Sequence, residues 1–349
     1  MQYSAFFANF TPEKRSDMNF NIARQPLVPA FVTLVALAAL TMWSAGIPAA
    51  PDSGSGAFSG TLPLLSPAEW LMRFQTACPG WSRWIGTLLL LFTGMSTGRL
   101  TVRYNLYSVG TCLAIPLYAA IAGGVSAGFI SLPALAASAL LALAAKNYGR
   151  SFCNGYGFDS LFRASLYLGC LPFIIAASLP LVVMLPLAVT LFRRTLREAA
   201  VAVAGLLLPA FTLCYLNWGV GGEFAAPLAH LAEAWMSGPA LTTLLALPIR
   251  NLVLLGGILL LDLIAILYFF SDSYALGTKP RSIFLFQIFQ LLLTVATLCN
   301  PAATPDVILL TAAPSAVLLP FLFVRIHRLP ALILYLILLA GVVANLCLQ

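Results

Sequence analysis

Two kinds of residue in this chain of 349 could do chemistry: a solitary intramembrane acid and several groups of cations. The acid is Asp262, in Gly257-Ile-Leu-Leu-Leu-Asp262-Leu-Ile-Ala265, the one carboxylate deep inside an apolar run. A carboxylate in hydrocarbon is costly, so it turns toward a bundle interior or water and marks a proton or ion path by default. The structural alternative is an Asp that hydrogen-bonds one helix to another. The cations form Gly98-Arg99-Leu-Thr-Val-Arg103-Tyr104-Asn105, then Lys146-Asn147-Tyr148-Gly149-Arg150. Asn154-Gly155-Tyr156-Gly157-Phe158-Asp159 and Arg163 follow, and Arg193-Arg194-Thr195-Leu196-Arg197-Glu198 completes the set. Guanidinium groups with Asn and Tyr donors suit a phosphate or pyrophosphate, such as a lipid head group. The candidate anion-binding residues are therefore Arg99, Arg103, Lys146, Arg150, Arg163, Arg193, Arg194 and Arg197. An ordinary excess of cytoplasmic cations in contact with lipid explains the same residues without a site. Asp159 and Arg163 stand one helical turn apart, the spacing of an ion pair.

Other chemistry finds less material. His230 and Glu233 share a helical face, but metal binding needs three or four converging ligands, and no metal or other cofactor is expected. The glycine-rich stretch lacks the order of a P-loop. The seven cysteines form no C-x-x-C pair and support neither zinc nor a disulfide framework. With His230 and His327 the only histidines, catalytic residues cannot be assigned.

These residues must be held by elements that lipid surrounds. Hydrophobic residues make up 61% of the chain and charged ones 8%, against about 25% charged in soluble domains. Such a composition predicts an all-α, polytopic transmembrane bundle. Apolar runs at about 27–46, 84–98, 109–128, 131–146, 161–177, 179–192, 199–217, 251–270, 283–299, 307–323 and 329–347 give about eleven spans. The proline-marked pair at 161–192 is short enough to read instead as a re-entrant hairpin, leaving nine spans beside it. The run from Leu27 to Ile47 follows a polar segment and is long enough to span, so a retained helix is expected rather than a cleaved signal. Residues 1–26 then form a cytoplasmic segment, and 27–349 one transmembrane domain.

With the N-terminus inside, fifteen cations fall on the cytoplasmic side and only Arg73, Arg83 and Arg250 outside. The positive-inside rule fixes that orientation and places the C-terminus outside. It also accounts for the net charge of +7 without nucleic acid. Trp43, Trp70, Trp81, Trp84, Trp218 and Trp235 all fall at the outer boundary. Outer segments lie at about 47–83 and 218–250. In the first, Ser66-Pro67-Ala68-Glu69 has capping-box spacing and predicts a short interfacial helix. In the second, Leu241–Ile249 is expected to dip into the outer leaflet. Gly94-x-x-x-Gly98 and Gly124-x-x-x-Gly128 predict close helix packing within the chain.

The block Asn154-Gly-Tyr-Gly-Phe-Asp159-Ser-Leu-Phe-Arg163-Ala-Ser-Leu-Tyr167-Leu-Gly-Cys-Leu-Pro172, with the later Phe192-Arg193-Arg194-Thr-Leu-Arg197-Glu198, resembles an uncharacterised family of polytopic membrane proteins from Bacteroidota. In that family Phe-Asp enters a short span, a proline-marked turn follows, and a Trp-Arg-Glu-like loop returns. Leu196-Arg197-Glu198 departs from the last motif at one position. The resemblance covers roughly 150–220 and implies a bacterial inner membrane. Some members carry the label beta-carotene monooxygenase, but the iron-ligating histidines that such chemistry requires are missing here.

Three functions fit these residues. A non-enzymatic component of cell-envelope biogenesis ranks first, with membrane lipids and other inner-membrane proteins or a polyprenyl lipid as its expected partners. A glycosyltransferase-like enzyme acting on a lipid-linked substrate would use an outer acid, for which Asp52 and Glu69 are available. A small-solute or lipid transporter would use Asp262 and the hairpin at 161–192.

Overall fold

The computed structural model describes residues 24–44, 66–125, 128, 130–152, 155–236, 244–245 and 247–347. Asp52, Lys14, Arg15, Cys153 and Asn154 lie outside them, as do the glycine-rich part of 47–65 and most of 237–246. The described residues are predominantly helical, with no strand among them. The helices are α1 (Leu27–Ser44), α2 (Pro67–Ala77), α3 (Pro79–Arg103), α4 (Ala114–Val125), α5 (Leu132–Ser151), α6 (Phe158–Ile174), α7 (Met184–Leu191), α8 (Leu196–Gly219), α9 (Ala226–Met236), α10 (Ile249–Asp272), α11 (Thr278–Leu298), α12 (Ala312–Arg325) and α13 (Arg328–Cys347). Short 3₁₀ segments at Ala176–Val183 and Pro305–Thr311 lead into α7 and α12. Among the described residues, seven helical segments are long and apolar enough to cross a membrane.

The surface is the one that lipid requires. Leu207, Phe211, Val253, Leu260 and Leu267 are each more than half exposed on α8 and α10. The inward face of α3 instead carries Gly86, Thr87, Thr93, Gly94, Ser96, Thr97 and Gly98. Small residues inside and large apolar ones outside are what packing in hydrocarbon selects, since burial from lipid supplies no hydrophobic gain.

At the centre stand α4, every residue of which is buried, and α12 with its 3₁₀ lead-in. Around them pack α1, α3, α10, α11 and α13, and α5, α6, the 176–191 segment and α8 extend the bundle on one side. The expected span at 109–128 is only twelve residues of helix, about 18 Å long. Its entry segment Leu106–Leu113 is non-helical, with Leu106, Tyr107, Thr111 and Leu113 buried and Ser108 and Gly110 exposed.

Buried polar groups knit the helices. Asn345 donates to the Gly124 carbonyl at 2.7 Å and to Asn251 Oδ1 at 2.9 Å, joining α13, α4 and α10. Tyr118 and Ser138 meet at 3.0 Å between α4 and α5, and Tyr148 and Ser165 at 3.0 Å between α5 and α6. The glycine expectation holds in part. A Cβ on Gly94 would fall 2.7 Å from Leu34, and one on Gly98 would fall 2.2 Å from Ile115, so α3 packs there on α1 and α4. Gly124 packs likewise on Val342, but Gly128 lies beyond the end of α4 with φ +85° and open space around it. It serves a turn rather than a helix contact.

The segment at 161–192 comprises most of α6, the first 3₁₀ stretch and α7. Its 3₁₀ half rises about 2.0 Å per residue, so Ala176–Leu191 covers about 28 Å, close to a hydrocarbon core of about 30 Å. Its tip packs against α9, which follows the far end of α8, while the base of α8 is bonded to the base of α6.

Candidate functional site

Five of the eight candidate cations come together. Arg99, Arg103, Lys146, Arg150 and Arg163 line one cleft of about 230 Å³ with Tyr104, Asn147, Tyr167, Leu100 and Leu143. Three helices supply them. Arg99 and Arg103 occupy successive turns near the end of α3, Lys146, Asn147 and Arg150 the end of α5, and Arg163 and Tyr167 successive turns near the start of α6. α3 and α6 both pack against α5, so α5 forms the floor and the other two form walls. Cations in the last turns of α3 and α5 also complement the negative ends of those helix dipoles. That favours their placement without requiring a ligand.

The cleft is graded. The four arginines are exposed, Lys146, Asn147, Tyr104 and Tyr167 are half-buried, and Leu100 is buried. Leu143 on α5 and Tyr167 on α6 stand a turn deeper in the bundle than Lys146 and Arg163. The guanidinium groups of Arg99, Arg103 and Arg150 all lie close enough to act on the Lys146 ammonium. Such a concentration of like charge favours a multiply charged anion. Tyr104 is held from behind: the Lys279 ammonium lies 4.7 Å from its ring centre and donates to the Phe152 carbonyl at 2.7 Å.

The expected pair forms, with Arg163 Nε 2.8 Å from Asp159 Oδ1 and both side chains more than half exposed. Asp159 uses the Nε edge of the guanidinium. The opposite edge, with two Nη groups, keeps the geometry that grips a phosphate or carboxylate.

Arg193, Arg194 and Arg197 are not in the cleft lining. Arg193 has φ +51° and closes the end of α7: its N–H donates to the Thr190 carbonyl, and that of Arg194 to the Val189 carbonyl at 2.9 Å. This is the paired-bond C-terminal motif in which glycine is usual. Asn105, with φ +45°, has the same role after α3. Arg194 is almost fully buried and bridges three segments, donating to the Phe192 carbonyl at 3.1 Å, the Gly155 carbonyl at 3.0 Å and Glu198 at 3.3 Å.

Glu198 is the residue that the sequence reading missed. It is 1% exposed and accepts from the Gly157 N–H at 2.6 Å and the Thr195 N–H at 2.9 Å. Thr195 returns the bond to the Glu198 N–H, completing a capping box at the start of α8. The signal was Thr195-x-x-Glu198, the capping-box spacing recognised at Ser66 but overlooked here among the arginines. At Ser66 the side chain does accept from the Glu69 N–H, at 3.2 Å, and opens α2.

Asp262 is fully buried and accepts from the Ser315 hydroxyl at 2.5 Å, tying α10 to α12. Its Oδ1 has no hydrogen-bond partner among the described residues. It faces the bundle interior and is not part of the basic cleft's lining. His230 and Glu233 meet at 3.6 Å, and among the described residues no three potential metal ligands cluster. Compared with known proteins, the chain matches no family model, no curated protein and no solved structure.

Proposed function

We propose that this chain is a multi-pass inner-membrane protein that holds the phosphate-bearing head group of a membrane lipid in its basic cleft, as a non-enzymatic component of envelope biogenesis. The basic end is cytoplasmic in this reading, the eleven helical segments matching the apolar runs all cross, and the C-terminus lies outside. One observation carries the proposal: five cations from three helices converge on one cleft that grades from arginine to leucine with depth. Scattered positive-inside residues would be expected to point separately into solvent.

The alternation of the helices supports the topology. Lys279, Arg194 and the Asp272–Arg325 pair (3.0 Å) belong to the same end as the cleft. Trp43 and Trp84 meet edge-to-face at the opposite end, with ring centres 5.9 Å apart. The envelope and inner-membrane placement rests on the resemblance of residues 150–220. An enzyme joining an outer acid to the cleft is less well supported, because Glu69 opens α2 at the tryptophan end, across the bundle from Lys146.

The test is chemical. The protein is purified in mild detergent, bound lipid is extracted, and phosphorus per chain is measured. The wild type is expected to retain a stoichiometric phosphorylated lipid, and the triple variant Arg99→Gln, Arg103→Gln, Lys146→Gln to lose it. Equal retention by a folded triple variant would refute the proposal.

A further inference from the structure

The cleft does not end at its cations. On α5 the only partly exposed side chains between Ala136 and Arg150 follow one line, through Leu140, Leu143, Lys146 and Asn147. Both neighbours continue it. α3 shows one exposed stripe, Leu88, Phe92, Met95 and Arg99, at helical spacing, and the half-exposed stripe of α6 runs through Arg163, Tyr167, Cys170 and Ile174. A furrow one side-chain row wide therefore rises from the cleft between α3 and α6, with α5 recessed at its floor. From Arg150 to Ala136 it climbs about 21 Å, deeper than half of a hydrocarbon core of about 30 Å. Its upper end is closed by α2, which packs against all three helices. Gln75 of α2 accepts from the Leu132 N–H at 2.8 Å and fixes that helix on the start of α5.

We propose that the furrow seats the tail of the lipid whose head group occupies the cleft, and that the ligand class is a phosphate or pyrophosphate carried on one long apolar chain. This rests on the reading of the cleft given above. The cations supply charge complementarity for the head, and the single row of Ala136, Leu140 and Leu143 supplies room for one chain rather than two. Leaving lipid for the furrow gives an apolar chain no hydrophobic gain, so the furrow selects by shape.

Binding is measured on the full-length protein with three probes: geranylgeranyl phosphate, dioleoyl phosphatidic acid and inorganic pyrophosphate as competitor. The wild type should prefer the single-chain phosphate by about tenfold, the scale of discrimination that shape in an apolar site provides. Leu140→Trp fills the floor, and Met95→Trp, at an exposed wall position that folding tolerates, narrows the side. Both should abolish the preference while pyrophosphate still competes. Equal affinity for the two lipids, or an unchanged preference in both folded tryptophan variants, overturns the tail seat. Lys146→Glu separates the two readings. If it abolishes pyrophosphate competition while the wild type shows no chain preference, the cleft stands and the furrow falls. If it alters binding of no probe, both fall.

Discussion

At the scale of single residues, the cations divide by what their backbone is doing. Arg99, Arg103, Lys146, Arg150 and Arg163 sit on helices and line the cleft, whereas Arg193 and Arg194 build the junction between α7 and α8. Sequence type revealed both groups equally, because a basic residue near the end of an apolar run looks the same in either role. What separated them was the hydrogen-bond partner, and Gly155 and Gly157 are some forty residues from Arg194 and Glu198. Two predictions belong here. Glu198→Gln keeps the shape but weakens charge-assisted bonds to Arg194, Gly157 and Thr195, and should cost about 1–3 kcal/mol in thermal or denaturant unfolding. Arg193→Gly removes a left-handed side chain that costs roughly 1 kcal/mol, so the variant should melt slightly higher and retain lipid as the wild type does. A loss of bound lipid in Arg193→Gly would place that guanidinium in the site after all.

At the scale of elements, apolar run length located eleven helical segments, whereas α2 and α9 were read from local polar spacing instead. The pair at 161–192 reads from sequence as two spans or as a re-entrant hairpin, and its second half is partly 3₁₀, which rises more per residue than an α-helix. The run at 109–128 counted as a full span, yet α4 fills only part of it and relies on surrounding helices for the rest. The closest helix pair was not legible from either residue pattern. On α6, a Cβ at Gly169 would lie 2.3 Å from the Leu206 carbonyl oxygen, and on α8 one at Gly205 would lie 2.7 Å from that of Phe162. Two glycines on different helices, without a local motif, let these backbones touch. Gly169→Val should therefore separate α6 from α8 and cost about 3 kcal/mol. Because the bases of α6 and α8 carry Arg163 and the Glu198 junction, it should also weaken lipid retention. Unchanged stability in Gly169→Val would show that the pair is not held in close contact.

At the scale of the whole molecule, the account requires one end to be cytoplasmic and the other external. Native thiols report this directly. Cys78 lies between α2 and α3 and Cys299 ends α11, both exposed and both at the tryptophan end. A membrane-impermeant maleimide added to intact spheroplasts should label them without lysis; labelling only after lysis would invert the topology. Charge asymmetry is a property of composition along the chain and can be read from it, whereas the cleft required knowing that α3 and α6 flank α5. The central claim is that this cleft holds a lipid phosphate, and the most direct measurement is an experimental structure of the wild-type protein in lipid nanodiscs. Phosphate-shaped density within hydrogen-bond reach of Lys146 and Arg99, continuing as a single chain along Leu143 and Leu140, is the result expected. A cleft that holds only solvent, in a map that resolves lipids elsewhere on the bundle, would contradict it.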